Sequence, residues 1–355
     1  MEEQKHKRRV HYSGKYPKKF EEKYKEHNPE KYKDTIEHVI SKGSTPAGMH
    51  ISIMVQEILD FLQIKPGQKG LDCTLGYGGH TRKMLEKLEG TGIIYGLDVD
   101  PIESTKTVER LRGFGFGEDN FQFRLINFAD IDKVSEEAGK FDFVLADLGV
   151  SSMQIDNPER GFSYKIDGPL DLRLDPNHGD SAAERLHNIT EEEFVGMMIE
   201  NSDEPYANEI AHKVFSLMSK GNPMDTTTAL REAISQALWK VPKDEKEMAI
   251  KKSCARVFQA LRIDVNSEFE VLYSFLEKLP SILNPGGRVA ILTFHSGEDR
   301  LVKKSFKELA KAGVYSDVSS DVIRPSAEEC RVNPRSKSTK MRWAIKAEDS
   351  GNYTL

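Results

Sequence analysis

Residues Phe141–Leu148 read FDFVLADL, a nearly unbroken apolar run that closes on an aspartate. A strand this apolar must be covered on both faces, as in a parallel sheet sandwiched between helices. Two earlier segments have the same form: Gly70–Thr74, which contains Asp72, and Gly92–Val99 (GIIYGLDV), which ends around Asp98. Helical patterns separate them. Ile53, Met54, Ile58, Leu59 and Leu62 share one side of a helix predicted over Met49–Leu62, and another helix runs to about Leu88. Pro101 opens a third, at a position that suits proline. Phe121–Ile126, Arg288–His295 (RVAILTFH), Val314–Val318 and Met341–Ile345 supply further strands. The expected class is α/β, a doubly wound, Rossmann-like sheet.

The alternation stops after Ser152. A loop rich in Gly, Pro, Asp and Asn extends to about Asp180, and several helices follow, one announced by the capping box Thr190-x-x-Glu193. The expected organisation is a basic extension over 1–45, an α/β domain over 46–152 and 255–348, an inserted all-helical domain over 153–254, and a tail over 349–355. Asn266 is expected to cap the next helix, which carries Phe269, Leu272, Leu276 and Leu279 on one side.

The net charge of −6 argues against nucleic acid, but its distribution does not. Lys5, Lys7, Arg8, Arg9, Lys15, Lys18 and Lys19 crowd the extension, interleaved with Tyr12, Tyr16, Phe20 and Tyr24 at four-residue spacing; Arg331, Arg335, Lys337, Lys340 and Arg342 form a second basic run. Such runs hold phosphates or are solvated surface. No stretch approaches the ~20 apolar residues of a membrane span, and Met1–Arg9 lacks the apolar core of a secretory signal. Cys73, Cys254 and Cys330 are isolated, so neither a zinc site nor a disulfide framework is expected, and the compartment reads as a reducing cytoplasm. No metal is expected.

Chemistry-bearing residues stand at the ends of the strands. Gly76-Tyr77-Gly78-Gly79-His80 follows the first strand; it is either a tight turn or a place where a ligand meets bare backbone. Its spacing is not the dinucleotide pattern G-x-G-x-x-G. Asp98 lies 22 residues beyond Gly76, the position of a carboxylate that accepts ribose hydroxyls. Asp100, before Pro101, reads as a helix cap. Phe128 follows the third strand and either packs on an adenine or belongs to the core. Asp147 is carried by its apolar strand into the same crevice, at a desolvation cost that implies work or a partner. The loop beyond it holds Arg160, Phe162, Tyr164 and Arg173; aromatics can stack on an extruded base and arginines suit phosphates. His295 or Ser296 could meet the substrate, although Ser296 also reads as a helix cap.

The ordered motifs D-x-T-L-G-x-G-G-H, D-L-G-V-S-S-x-Q, N-P-E-R-G-F-S-Y, G-P-L-D-L-R, F-Q-A-L-R-I-x-V-N-S-E, F-H-S-x-E-D-R and N-P-R-S-K-S-T-K-x-R, spread over about residues 49–346, closely resemble the bacterial 16S ribosomal RNA cytosine-N4 methyltransferase family. The resemblance implies a class I methyltransferase sheet, S-adenosylmethionine as cofactor, and 16S ribosomal RNA or the small ribosomal subunit as partner, with a homodimer as a further expectation and no membrane partner. It implies cofactor contacts by Gly78, Gly79, His80, Asp98, Phe128, Asp147 and Gln154, the last not singled out by spacing alone. The family has no agreed catalytic base, so Asp147 is expected to orient the amine. The chain departs from the family pattern in three places: the segment Ala47–Val55, Gly297 where the family has leucine, and Ser202-Asp203-Glu204-Pro205-Tyr206 in place of a G-E-E turn. These leave the reaction in place and put the target in question. The alternatives are a divergent paralogue acting on another RNA cytosine, a catalytically silent RNA-binding assembly factor, and a small-molecule methyltransferase.

Overall fold

The computed structural model of the chain describes residues 52–348. The expected basic extension with its aromatic repeat, the tail over 349–355 and the start of the helix expected from Met49 lie outside the described residues. Within them that helix begins only at Val55.

Helices α1 (Val55–Leu62), α2 (Gly79–Lys87), α3 (Pro101–Gly113) and α4 (Ile131–Ala138) alternate with strands β1 (Lys69–Asp72), β2 (Ile93–Asp98), β3 (Phe121–Leu125) and β4 (Phe141–Asp147). A helical segment follows: α5 (Ser152–Asp156), α6 (Ala182–Asn188), α7 (Glu191–Ser202), α8 (Ala207–Met218), α9 (Thr227–Ala237) and α10 (Lys243–Val265). The chain then returns to the sheet through α11 (Glu268–Ile282), β5 (Leu283–Thr293), α12 (Ser296–Lys311), β6 (Tyr315–Val318), α13 (Ala327–Val332) and β7 (Lys340–Lys346).

Among the described residues the strands form one sheet in the order β3-β2-β1-β4-β5-β7-β6. Pairing is parallel from β3 to β5, and β7 runs antiparallel to both β5 and β6. This is a doubly wound α/β sheet, as expected. Alternate strand residues feed two cores. Val144 and Ala146 of β4 with Val289 and Ile291 of β5 pack against α4, α11 and α12. Phe143, Leu145, Ala290 and Leu292 face the other way, against α1, α2 and α3. Burial on both faces is why these strands read as apolar runs.

The helical segment has its own core, in which Phe194, Met198, Ile210, Val214, Leu230, Ile234, Val257 and Leu261 are buried together. The capping box at Thr190 forms as expected, and Ser181 with Glu184 forms another. Three local expectations are corrected. The boundary expected after residue 254 falls inside α10, which runs unbroken to Val265. Asn266 does not start the next helix; it ends α10, and its amide bonds Leu172 O, Arg262 O and Leu174 N at 2.8, 2.8 and 2.7 Å. Ser296 is not the cap of α12: His295 takes that place, in a reciprocal arrangement with Glu298.

Candidate active site

The strand order reverses between β1 and β4, both of which leave the sheet at the same edge. Ligands of open α/β sheets bind in the crevice at such a switch point, outside the carboxyl ends of the strands. The loop after β1 supplies Gly76 and Gly78 in left-handed conformations, with φ of 48° and 79°. A Cβ on Gly78 would lie 2.7 Å from Thr107 Cγ2, and one on Gly79 only 1.9 Å from Ser52 Oγ. The turn is therefore restricted to glycine by both conformation and space.

Asp98 ends β2. Its Oδ2 accepts from Gly76 N at 2.8 Å and its Oδ1 from Asp100 N at 2.9 Å, which ties the glycine turn to the start of α3. Burial pushes its pKa up to about 6 against the opposing backbone hydrogen bonds, with Asp100 adding to the rise. Part of the carboxylate's acceptor capacity remains for hydroxyls. Asp100 caps α3 as expected, accepting from Ile102 N and Glu103 N. It also does what the sequence did not announce: its Oδ2 receives Gln154 Nε2 at 2.9 Å and Arg160 Nη1 at 2.6 Å.

Gln154 is held twice, because its Oε1 also accepts Ser151 N in the capping box of α5. It is thereby tied to Asp100, two residues beyond Asp98. Phe128 follows β3 in a turn capped by Asn127 and meets Phe275 edge-on at 5.3 Å. Its ring is half-buried, so both roles considered for it fit.

Asp147 ends β4, its N–H donating to Thr74 Oγ1 at 2.7 Å. Its Oδ2 lies 3.5 Å from His80 Nδ1, while His80 Nε2 faces the Ile53 carbonyl at 2.8 Å and therefore carries the ring hydrogen. Asp147 Oδ1 is buried and has no hydrogen-bond partner among the described residues. Desolvation pushes the carboxyl up to about 6; His80 opposes the shift, and the carboxylates of Asp72 and Glu298 reinforce it. Asp72 itself is fully buried on Thr81 Oγ1 at 2.5 Å and Thr74 N at 3.1 Å, and burial raises its pKa too. A buried acceptor with nothing to accept, at a ligand-binding edge, is an unusual expense that a substrate N–H or O–H would relieve.

The loop residues expected to contact substrate are used differently. Arg160 is buried against Asp100, and its Nη2 donates to the carbonyls of Arg173 and Leu174 at 3.1 and 2.8 Å. It locks the loop rather than offering itself to a phosphate. Arg173 grips Asp171 with Nε and Nη2, at 2.9 and 2.7 Å, and Gly179 O with Nη1. Phe162 and Tyr164 pack on the core of the helical segment, Tyr164 edge-on to Phe258 at 5.7 Å. Both rings are half-buried, and that core takes up part of their aromatic area. His295 stands beside the crevice through Glu298, with Nε2 3.3 Å from Glu298 Oε1, off hydrogen-bonding geometry. Arg262 supplies the positive charge here, held by both oxygens of Glu268 at 2.7 and 2.9 Å. Cys73, Cys254 and Cys330 are free thiols.

The geometry therefore presents a tightly packed glycine turn, a carboxylate held by backbone N–H groups and a desolvated acceptor around one switch point. The family model for the MraW methylase family matches residues 47–347. The chain belongs to the MraW methylase family. As a member it is a methyltransferase with S-adenosylmethionine as methyl donor, and the crevice just described, with its glycine turn, hydrogen-bonded carboxylate and half-buried aromatic ring, fits a donor of that chemistry. Among curated relatives, "Ribosomal RNA small subunit methyltransferase H 1" of Agathobacter rectalis is 70% identical, covering 98% of this chain and 99% of that protein. "Ribosomal RNA small subunit methyltransferase H 2" of Alkaliphilus metalliredigens is 58% identical over 97% of this chain and 99% of that protein. The "Ribosomal RNA small subunit methyltransferase H" of Clostridioides difficile is 38% identical over 84% and 98%. No helix among the described residues of this family member is long and apolar enough to cross a membrane.

Proposed function

We propose that this chain is a cytoplasmic enzyme that methylates the exocyclic N4 amine of a cytosine in 16S ribosomal RNA, in the decoding region, as free RNA or in the small subunit. The observation that carries the reading is Asp147 Oδ1, a buried acceptor at the end of β4 with no partner among the described residues. The N4 lone pair of cytosine is delocalised into the ring, so the amine is a poor nucleophile. Asp147 and the Leu148 carbonyl accept its N–H groups and turn the lone pair outwards. S-adenosylmethionine supplies an electrophilic sulfonium methyl. Gly78 and Gly79 let the turn close against Thr107 and Ser52, Asp98 would hold the donor's ribose, Phe128 would pack on its base, and His80 and Gln154 fix Asp147 and Asp100. Orientation of this kind contributes much of the rate. The 70% and 58% identical relatives are named as ribosomal RNA methyltransferases, which supports RNA rather than a free nucleoside.

Labelled S-adenosylmethionine offered with 16S RNA and with free cytidine tests this reading. Label should enter the RNA and not the nucleoside; label in cytidine alone would overturn it. Asp98→Asn should weaken donor binding by about 10- to 100-fold, the range for losing charged hydrogen bonds. Wild-type affinity should rise with pH through about 6 as Asp98 ionises, and the variant should lose that rise. Isothermal titration across pH 5 to 8 (about the span that brackets this ionisation) reads both.

A further inference from the structure

A cavity of about 690 Å³ opens between the helical segment and the sheet edge. That lies within the roughly 300–1,000 Å³ typical of ligand sites. One wall is the β5–α12 turn with His295 and Gly297; the others come from the end of α7, the middle of α10 and the first turns of α11. It adjoins the reactive edge: β4 and β5 pair with Asp147 opposite Leu292, three residues before His295. We infer that it takes an unpaired nucleotide of the RNA substrate that flanks the target cytosine. The inference rests on the RNA reading above.

Ser202 and Asp203, where α7 ends, and Gly297, in the first turn of α12, line this cavity together. Gly297 makes room for an aromatic: a Cβ there would sit 2.7 Å from Phe269 Cζ. Phe269 occupies that space and meets His295 edge-on at 5.8 Å. Tyr273, one turn along α11, also lines the cavity and is 64% exposed. Exposed aromatics beside a cavity suit base stacking.

The polar lining matches a nucleotide as well. Arg300 has no ion-pair partner among the described residues, and Arg256 comes no nearer a carboxylate than 3.9 Å, at Glu204. Both suit a phosphate. Glu200, Asp203 and Glu270 offer acceptors, and Asn201 and Gln259 each donate to backbone with their amide nitrogen, leaving an amide oxygen. Acceptors suit the N–H donors on a base edge. A purely anionic ligand would be opposed by the three carboxylates, whereas a base with its phosphate uses both kinds of group.

The test compares full-length wild type, Tyr273→Ala and Gly297→Leu for methyl transfer to naked 16S RNA and small subunits, with RNA affinity measured in parallel. Gly297→Leu should displace the Phe269 ring; Tyr273 is exposed, so its loss leaves folding intact. Each substitution should raise the KM for RNA about tenfold, the scale of losing one base stack, with kcat and donor affinity unchanged. A wild type that methylates RNA while both variants match it in KM and RNA affinity overturns this inference alone. A wild type that neither binds nor methylates RNA overturns the proposed function and this inference with it.

Discussion

Asp147→Asn should lower kcat for methyl transfer to RNA by about 10²- to 10³-fold, the scale of removing one preorganised group that acts in the transition state. The amide keeps one acceptor oxygen but turns an N–H towards the amine it should receive, and it cannot share a proton with His80. RNA affinity should stay near wild type, because the carboxylate acts on the lone pair rather than on the phosphate backbone. Wild-type kcat should rise with pH through about 6 and then level, since only the ionised carboxylate is sure to present Oδ1 to the amine as an acceptor rather than as an O–H. The same substitution should stabilise the fold. The folded pKa is raised, so the group's favourable contribution is complete below the unfolded value of about 3.8 and is lost as pH climbs through about 6. At neutral pH the buried charge costs on the order of 2–3 kcal/mol, which the amide removes. Single-turnover assays and thermal melts at pH 5 and pH 8 (about one to two units either side of the transition) check both. An active variant, or one that melts earlier than wild type at pH 8, contradicts this account of Asp147.

Arg160→Ala should cost about 3–5 kcal/mol, the penalty for breaking one partner from a buried ion pair. The side chains of Arg160 and Asp100 are 7% and 1% exposed and meet at 2.6 Å. Truncation leaves Asp100 with Gln154 alone on its Oδ2 and leaves two loop carbonyls without their donor. The melting temperature should fall by roughly 5–15 °C. Donor affinity should fall too, since Asp100 N supports Asp98. A phosphate-binding arginine behaves otherwise: its loss spares stability and lowers the salt slope of RNA binding by about one. Thermal melts beside salt-dependent RNA binding separate the two roles, and a stable variant with a shallower slope would return Arg160 to the RNA.

That contrast shows which parts of the site were legible in the sequence. Asp98 and Asp147 could be read because apolar strands of fixed direction deliver their last residue to a known edge. The cap at Asp100 and the box at Thr190 depend only on neighbours within one turn, and both form. Arg160 misled because its partner lies 60 residues earlier, across the crevice, and no local pattern marks that meeting. The packing of Phe162 and Tyr164 was hidden for the same reason: the core they pack on is built mainly by helices later in the chain. Ser296 lost its capping place to His295, one residue before, because Glu298 reaches back to Phe294 N and His295 N. The cavity beside Gly297 could not be read at all, since it needs α7, α10, α11 and α12 together.

The central claim is that this chain places a methyl group on a cytosine N4 of 16S RNA with Asp147 orienting the amine. The direct measurement is nucleoside analysis of 16S RNA, naked and in small subunits, after incubation with labelled S-adenosylmethionine and either wild type or Asp147→Ala. The account predicts label in N4-methylcytidine with wild type and its loss with the variant. Label in another nucleoside, or equal N4 labelling by both proteins, would contradict it.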